Sequence, residues 1–361
     1  MMKLYKALLL LVFFTPTLLI ANNGVKKHEK TKTIKKQFSV NSKATLYINN
    51  KYGNINISSW NENRVEIDVK ITVKGSNLSK VEDKLNAINV DFNASNELVE
   101  ARTRIQNTKS NWSWWGGNDN INFKINYFIK MPASNNADLH NKYGNIEIDV
   151  LNGKSNINCS YGNIEIDKLT NADNSINLDY CGSSDINYIK SGHLSLDYSK
   201  LKIQNSEKLK SSSDYSSLKI EKIGSLNFNS DYGSVSVSNV DIIEGNSDYA
   251  GVKVGTLHKK LRIDTDYGGV KIYDIAKGFE SIAIEANYAG VKLGTKSDNS
   301  FKFIVDLGYA GFNYPNDKVE FFKSIKKSSK KYYEGTFGSE NSNATVNIRS
   351  RYGGVSLKIT D

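Results

Sequence analysis

The stretch NKYGNIEID (Asn141–Asp149) returns as CSYGNIEID (Cys159–Asp167), and its tyrosine then recurs through the rest of the chain. Later copies read DYGSVSV, DYAGVKV, DYGGVKI and NYAGVKL. From Tyr143 to Tyr309 the tyrosines return every 17 to 21 residues, and the same frame surrounds Tyr52 and Tyr352. A short fixed period of this kind predicts one small structural unit that is stacked many times.

Apolar residues alternate with polar ones on both sides of each tyrosine. In the unit around Tyr267 they are Leu261 and Ile263 before it, and Val270 and Ile272 after it. This alternation predicts two β-strands per unit, each with one buried face. The buried positions change parity at the tyrosine, which predicts a corner there, and the glycine one or two residues later is expected to supply its backbone freedom.

These units predict an all-β fold, a β-solenoid of stacked 17–21-residue coils whose side chains form internal ladders. The pattern leaves the handedness of the solenoid open. The tyrosines are expected to stack at the corner with their hydroxyl groups toward water. Each ring is expected to be buried, so that its removal lowers the free energy of unfolding by about 3 kcal/mol. This predicted structural ladder comprises Tyr143, Tyr161, Tyr180, Tyr198, Tyr215, Tyr232, Tyr249, Tyr267, Tyr288, Tyr309 and Tyr352.

The sequence predicts four segments. Residues 1–21 read as a signal peptide, since Lys3 and Lys6 precede an apolar run that is too short for a comfortable membrane span. Residues 22–37 read as a disordered basic leader. Residues 38–137 read as a first rung and an α+β cap, with one helix begun by a capping box of Ser79 and Glu82. Residues 138–361 read as the solenoid.

The formal charge of +10 suggests a nucleic-acid partner until it is divided along the chain. The predicted signal peptide contributes 2 of these charges and residues 22–36 contribute 5, which leaves +3 for the rest. The body is therefore not expected to bind nucleic acid. Cys159 and Cys181 are expected to be free thiols about 10 Å apart, and the four histidines lack the spacing of a metal site.

Two charged columns are predicted on the outer surface. Six coils place an aspartate just before the tyrosine, and four of these carry a lysine four residues after it. Lateral ion pairs within each coil are the favoured interpretation, and a column of divalent cations bound to the carboxylates is the alternative. The predicted columns are Asp179, Asp197, Asp214, Asp231, Asp248 and Asp266, with Lys202, Lys219, Lys253 and Lys271.

One aromatic-rich segment, NWSWWGGNDN, is the candidate binding loop. Its side chains Trp112, Trp114 and Trp115 could stack on sugars or on a partner protein, or fold back over an apolar edge. No nucleophile elbow, phosphate-binding loop or Cys/His pairing is present in the sequence. We therefore expect no catalytic residue and no cofactor.

Three segments, LYINNKYGNINISSW, FIKMPASNNADLHNKYGNIEIDVLNG and FGSENSNATVNIRSRYGGVSLKI, resemble an exported adhesin-like β-strand-repeat family of unknown function. That family is related to the head domains of auto-transporter adhesins, and the resemblance spans residues Phe38 to Asp361. It implies a secreted or surface β-solenoid without catalytic residues.

The sequence thus predicts a non-enzymatic exported protein that acts as an adhesin, a cell-envelope scaffold or a binding module. It would be periplasmic, on the cell surface or extracellular, with an envelope glycan or a surface protein as its partner. The alternative is a carbohydrate-active solenoid enzyme that acts on an envelope or extracellular polysaccharide. That alternative predicts a cleft with carboxylates clustered in a few central rungs.

Overall fold

The computed structural model describes residues 27–106 and 121–360. It begins with β1 (His28–Ser39), β2 (Thr45–Lys51), β3 (Ile55–Trp60), β4 (Arg64–Gly75), α1 (Leu78–Asn86), β5 (Ile88–Ala94), β6 (Leu98–Ile105) and β7 (Asn122–Pro132). The coils begin with β8 (Asn136–Lys142), β9 (Ile146–Leu151), β10 (Ser155–Ser160), β11 (Ile164–Leu169) and β12 (Asn174–Asp179). Five long strands follow: β13 (Ser184–Asp197), β14 (Lys200–Asp214), β15 (Ser217–Asp231), β16 (Ser234–Asp248) and β17 (Gly251–Asp266).

The remaining strands complete the stack and its far end. They are β18 (Val270–Ile275), β19 (Ser281–Asn287), β20 (Val291–Thr295), β21 (Phe301–Gly308), β22 (Phe312–Asn313), β23 (Val319–Lys326), β24 (Lys330–Phe337), β25 (Thr345–Arg351) and β26 (Val355–Ile359).

The chain forms a β-solenoid, as predicted, in which each coil pairs in parallel with the next. Leu201 of β14 lies opposite Leu218 of β15, which lies opposite Val235 of β16. All three side chains are fully buried, so equivalent positions of successive coils form the predicted internal ladders. Phe228 fills the space left by its two smaller ladder neighbours, Ser211 and Gly245.

The order of the coils departs from the order of the sequence at both ends. The first coil, β2 and β3, lies between β6 and β7 on one side and β8 and β9 on the other. The last coil, β25 and β26, lies between β19 and β20 on one side and β21 and β22 on the other. Each of these coils is therefore covered on both sides, and the cap beyond it is formed by another part of the chain.

Antiparallel strands cap the two ends. At one end β4 pairs with β1 and β7, β5 pairs with β6, and α1 packs against β4. At the other end β24 pairs with β21 and with β23, so the chain between Tyr309 and Tyr352 forms a hairpin there. The helix begins differently from the prediction, since Asn77 and not Ser79 is its N-cap and accepts a hydrogen bond from the Lys80 amide at 3.1 Å.

The prediction of a disordered leader over residues 22–37 is wrong from His28 onward. Strand β1 pairs with β4 along its whole length. Its Ile34 and Phe38 side chains pack against the core, and Lys30 and Lys35 form ion pairs of 3.1 Å with Glu82 and Asp68. Pairing and neutralisation thus order a segment whose composition alone favours disorder. The predicted signal peptide lies outside the described residues.

Candidate binding face

The twelve tyrosines form one continuous stack along an edge of the solenoid. From Tyr52 to Tyr288 and on through Tyr352 to Tyr309, neighbouring ring centroids lie 4.7 to 5.1 Å apart. Beyond Tyr161 the ring planes diverge by at most 6°. Stacking at the corner was predicted, but burial was not found, because the rings from Tyr143 onward remain 43% to 67% exposed. The stack is therefore an external one.

The tyrosines themselves, and not the glycines, adopt the left-handed conformation at the corner. Each of the twelve has a φ between 46° and 64°, whereas the glycines that follow them have no positive φ. The glycine is needed for a different reason. A Cβ at Gly162 would lie 2.0 Å from the carbonyl oxygen of Gly144, and one at Gly353 would lie 1.9 Å from that of Ala289. Close approach of successive coils, and not backbone rotation, selects small residues at this position.

Polar side chains complete the corner from the inside. Ser247, two residues before Tyr249, donates a hydrogen bond of 2.5 Å to the carbonyl of Ala250, and Ser350 makes the same bond to Gly353 at 2.7 Å. In other coils the small residue after the tyrosine is itself the donor, since Ser216 Oγ lies 2.7 Å from the carbonyl oxygen of Asp214. The bonds from Ser247 and Ser350 give backbone carbonyls of the turn a hydrogen-bond donor. The bond from Ser216 adds a second donor to the Asp214 carbonyl, which already accepts one from the Tyr198 amide of the neighbouring coil.

The two cysteines lie closer together than predicted. Both are free, as expected, and both are buried, but Cys181 Sγ lies 3.3 Å from the carbonyl oxygen of Cys159. The predicted distance of about 10 Å is the offset of three residues along a straight strand. The corner instead folds Cys181 onto the neighbouring coil. A hydrogen bond with Cys181, together with burial, raises the pKa of the Cys159 thiol.

The predicted ion pairs between the aspartate and lysine columns are not formed within the described residues. Lys219 instead binds Glu221 at 2.8 Å, and the Lys271 ammonium lies 3.7 Å from the centre of the Tyr273 ring. Asp266 accepts a hydrogen bond of 2.8 Å from Asn287. Because the chain turns at the tyrosine, the aspartate belongs to the strand before the corner and the lysine to the strand after it. The alternative of bound cations gains no geometric support, as no described group of three acidic, histidine or cysteine side chains is arranged to hold a metal.

The strands that follow the tyrosines present a surface that we call the charged face. It consists of the outward side chains two, four and six residues after each tyrosine. In the coil of Tyr180 one extra residue follows the tyrosine, so the equivalent positions there are three, five and seven residues after it. The middle column of this face runs through Glu147, Glu165, Asp185, Lys202, Lys219, Ser236, Lys253, Lys271 and Lys292, each opposite the next. Three acidic side chains, Glu147, Glu165 and Asp185, therefore form one part of the column, which we call the acidic half. Five lysines and Ser236 form the remainder, which we call the basic half.

The acidic half also forms a shallow depression of about 290 Å³. Five carboxylates line it, those of Glu147, Asp149, Glu165, Asp167 and Asp185. Four lysines of this column were predicted from the sequence, but Lys292 and this acidic cluster were not. The signal was the repeated IEID segment, in which the two acidic residues alternate with buried isoleucines and so share the outer surface.

The candidate binding loop with Trp112, Trp114 and Trp115 lies outside the described residues. Within residues 27–106 and 121–360 the single helix, α1, has nine residues and is too short to cross a membrane.

No family model and no curated protein matches this chain. Among solved structures, a "putative adhesin" from Parabacteroides distasonis ATCC 8503 is 11% identical, with 71% of this chain and 94% of that chain covered and a TM-score of 0.38. A "putative adhesin" from Parabacteroides merdae ATCC 43184 is 12% identical, with 72% and 95% covered and a TM-score of 0.33. A "putative lipid binding protein" from Parabacteroides distasonis ATCC 8503 is 9% identical, with 91% and 97% covered and a TM-score of 0.29. Likeness at this level assigns neither a family nor a function to the chain.

Proposed function

We propose that this protein is a non-enzymatic exported binding protein, an adhesin or a cell-envelope scaffold that presents an extended surface to its partner. The observation that carries the proposal is the exposed stack of tyrosines, which repeats the same aromatic group along the whole solenoid. An adhesive surface benefits from many equivalent rows, because contacts along a rigid row add up without separate ordering costs. Catalysis, in contrast, needs one unique arrangement of groups.

Export is the first part of this proposal to test. The native protein should be recovered from the cell envelope or the medium with its new N-terminus near Asn22, as determined by mass spectrometry. Protease treatment of intact cells then separates a surface adhesin, which would be cleaved, from a periplasmic scaffold, which would be protected. Recovery of the chain in the cytoplasm with Met1 or Met2 as its first residue would contradict the proposal.

Binding is the second part. We expect a variant with Trp112, Trp114 and Trp115 all changed to alanine to lose adherence to envelope glycans or cells while it keeps the melting temperature of the wild type. Phe322→Ala is the matched control, since it removes one exposed aromatic that lies outside both the tryptophan segment and the charged face. Equal adherence of the triple variant and the wild type would exclude the tryptophan segment as the binding element.

The acidic depression favours one alternative, a polysaccharide-cleaving enzyme, because clustered carboxylates are the groups that such enzymes use. This alternative predicts new reducing ends when the protein is incubated with envelope polysaccharides. It also predicts that Asp167→Asn abolishes them. We propose binding without turnover, and therefore no product with either protein.

A further inference from the structure

The middle column of the charged face has three pairs of opposite charges at equal distances from its central residue, while Lys202 and Ser236 flank that residue directly. It contains thirteen side chains, from Phe128 at one end of the stack to Asn313 at the other, and Lys219 is the seventh. Three carboxylates, Glu147, Glu165 and Asp185, lie on one side of Lys219. Three lysines, Lys253, Lys271 and Lys292, lie at the matching distances on its other side.

We propose that the charged face pairs with the charged face of a second copy of this chain, with the two solenoids antiparallel. A two-fold axis along the strand of Lys219 places each acidic row of one copy opposite a basic row of the other. Glu147 then faces Lys292, Glu165 faces Lys271 and Asp185 faces Lys253, each pair occurring twice. The central Lys219 needs no partner from the second copy, because it already binds Glu221 of its own coil at 2.8 Å.

Most of these charges have no ion-pair partner in the part of the chain that the structure describes. Among residues 27–106 and 121–360, no ion pair contains Glu147, Glu165 or Asp185, and none contains Lys253 or Lys292. Five of the six charged side chains that the pairing uses are also exposed, and Lys271 is half-buried beside Tyr273. The face is therefore free to exchange water for charges of a second copy.

A second observation supports the same register. Glycines stand two residues before Lys253, Lys271 and Lys292, at positions 251, 269 and 290. Their φ angles are not positive, and an added Cβ would meet nothing closer than 3.6 Å, so the coil itself does not require glycine there. In the proposed pairing these three glycines face Ser183, Asn163 and Asn145. Small residues at these positions allow the two sheets to approach closely.

The proposed interface is large enough for a specific dimer of moderate affinity. The thirteen rows of the charged face extend about 60 Å along the solenoid, and the five residues from its first to its third column extend about 13 Å along the strand. The contact area is therefore on the order of 800 Å² per copy, the size of a standard specific interface. A basic polymer or an anionic polymer would each complement only half of this face and would meet repulsion from the other half. A second copy complements both halves at once.

Sedimentation velocity of the full chain tests the proposal directly. At low salt we expect a monomer–dimer equilibrium with a dissociation constant in the micromolar range, weakened tenfold or more at about 0.5 M salt because the charges are exposed. A monomer at every concentration and salt would overturn the proposal. Growth into species larger than a dimer would also overturn it, since a two-fold contact closes after two copies.

Charge reversal gives a sharper test because the account predicts a rescue. The variant E147K/E165K/D185K and the variant K253E/K271E/K292E should each be monomeric, whereas their equimolar mixture should form a dimer with the wild-type sedimentation coefficient. The variant K208E/K210E/K222E is the matched control for K253E/K271E/K292E, because it also replaces three lysines by glutamates but outside the charged face, and it should dimerise normally. Failure of the mixture to associate, with both variants folded by circular dichroism, would contradict the proposed pairing.

Zero-length crosslinking locates the contact. Glu165 and Lys271 lie six rows apart in one copy, a separation of about 29 Å, so a direct amide bond between them can form only between two copies. Mixing chains labelled with heavy and light nitrogen should give mixed-isotope Glu165–Lys271 crosslinks. Dimers that crosslink only through other faces would contradict the assignment.

Discussion

The rings of Tyr198 and Tyr215 lie parallel, with an interplanar angle of 0° and centroids 4.9 Å apart, while both residues hold a left-handed backbone conformation. A residue with a side chain is strained by about 1 kcal/mol or more in this conformation. Each ring in the middle of the column contacts two neighbours, and each aromatic pair contributes roughly 0.5–1.5 kcal/mol. Stacking thus offsets the strain that the corner imposes on its own tyrosine.

Phe228 tests the internal ladders, which were predicted from the alternating pattern. Its ring is fully buried beside Ser211 and Gly245, two residues too small to fill the space that its removal leaves. Phe228→Ala should therefore lower the free energy of unfolding by about 3–5 kcal/mol, measured by chemical denaturation. The exposed neighbour Asn227→Ala is the control and should change it by less than about 0.5 kcal/mol. A small effect at Phe228 would mean that the coils are loosely packed.

Gly268 and Gly269 are adjacent but should respond differently to alanine. A Cβ at Gly268 would lie 2.1 Å from the carbonyl oxygen of Ala250, whereas one at Gly269 has no neighbour within 3.6 Å. We expect Gly268→Ala to destabilise the protein by about 1–3 kcal/mol and Gly269→Ala to be neutral or slightly stabilising. Equal effects in thermal melts at high salt would contradict the spacing of the coils.

The last coil should be as firmly held as the centre of the stack, because β25 pairs with both β19 and β21. Hydrogen exchange should show strong protection of residues 345–351, although they lie close to the end of the chain. Residues 28–39 should also be protected, since β1 pairs with β4. Rapid exchange of residues 345–351 would contradict the insertion of this coil between its neighbours.

Tyr198, in the middle of the tyrosine column, should make the fold sensitive to alkaline conditions. Burial is the main cause of the raised pKa of Tyr198, and its neighbours Tyr180 and Tyr215 add to it. A pKa that is higher in the folded than in the unfolded chain favours the neutral phenol, so its stabilisation is complete below about pH 10 and declines as the pH rises further. Denaturation curves at rising pH should show this decline, and Tyr198→Phe should reduce it. A stability independent of pH above 10 would contradict the shift.

Much of this fold could be predicted from the sequence because the pattern that specifies each coil lies within a single repeat. The period, the alternation around Tyr267 and the strands on either side of the corner follow from which residues avoid water. The left-handed tyrosine was not predictable in this way, because glycine is the residue usually assigned to that conformation. The contact between Gly162 and Gly144 arises only when two coils are placed together.

Other features depended on long-range pairing that no local pattern contains. Nothing in the sequence near Thr345 indicates that β25 lies between β19 and β21. The many lysines of β1 favour disorder, and nothing in that segment shows that β4 pairs with it and orders it. The charged face shows the same limit. Individual charges such as Lys253 were found in the sequence, but their division into an acidic and a basic half required the register of the coils.

Tyr232 gives the most direct test of the central claim, that an external tyrosine stack stabilises strained corners. Tyr232→Phe should leave the free energy of unfolding unchanged, because the hydroxyl group has no hydrogen-bond partner among the described residues. Tyr232→Ala should lower it by about 2 kcal/mol, since stacking is lost and the strain remains. Tyr232→Gly should be about 1 kcal/mol more stable than Tyr232→Ala, because glycine relieves the strain. An alanine variant as stable as the wild type, or a glycine variant less stable than the alanine variant, would contradict the account.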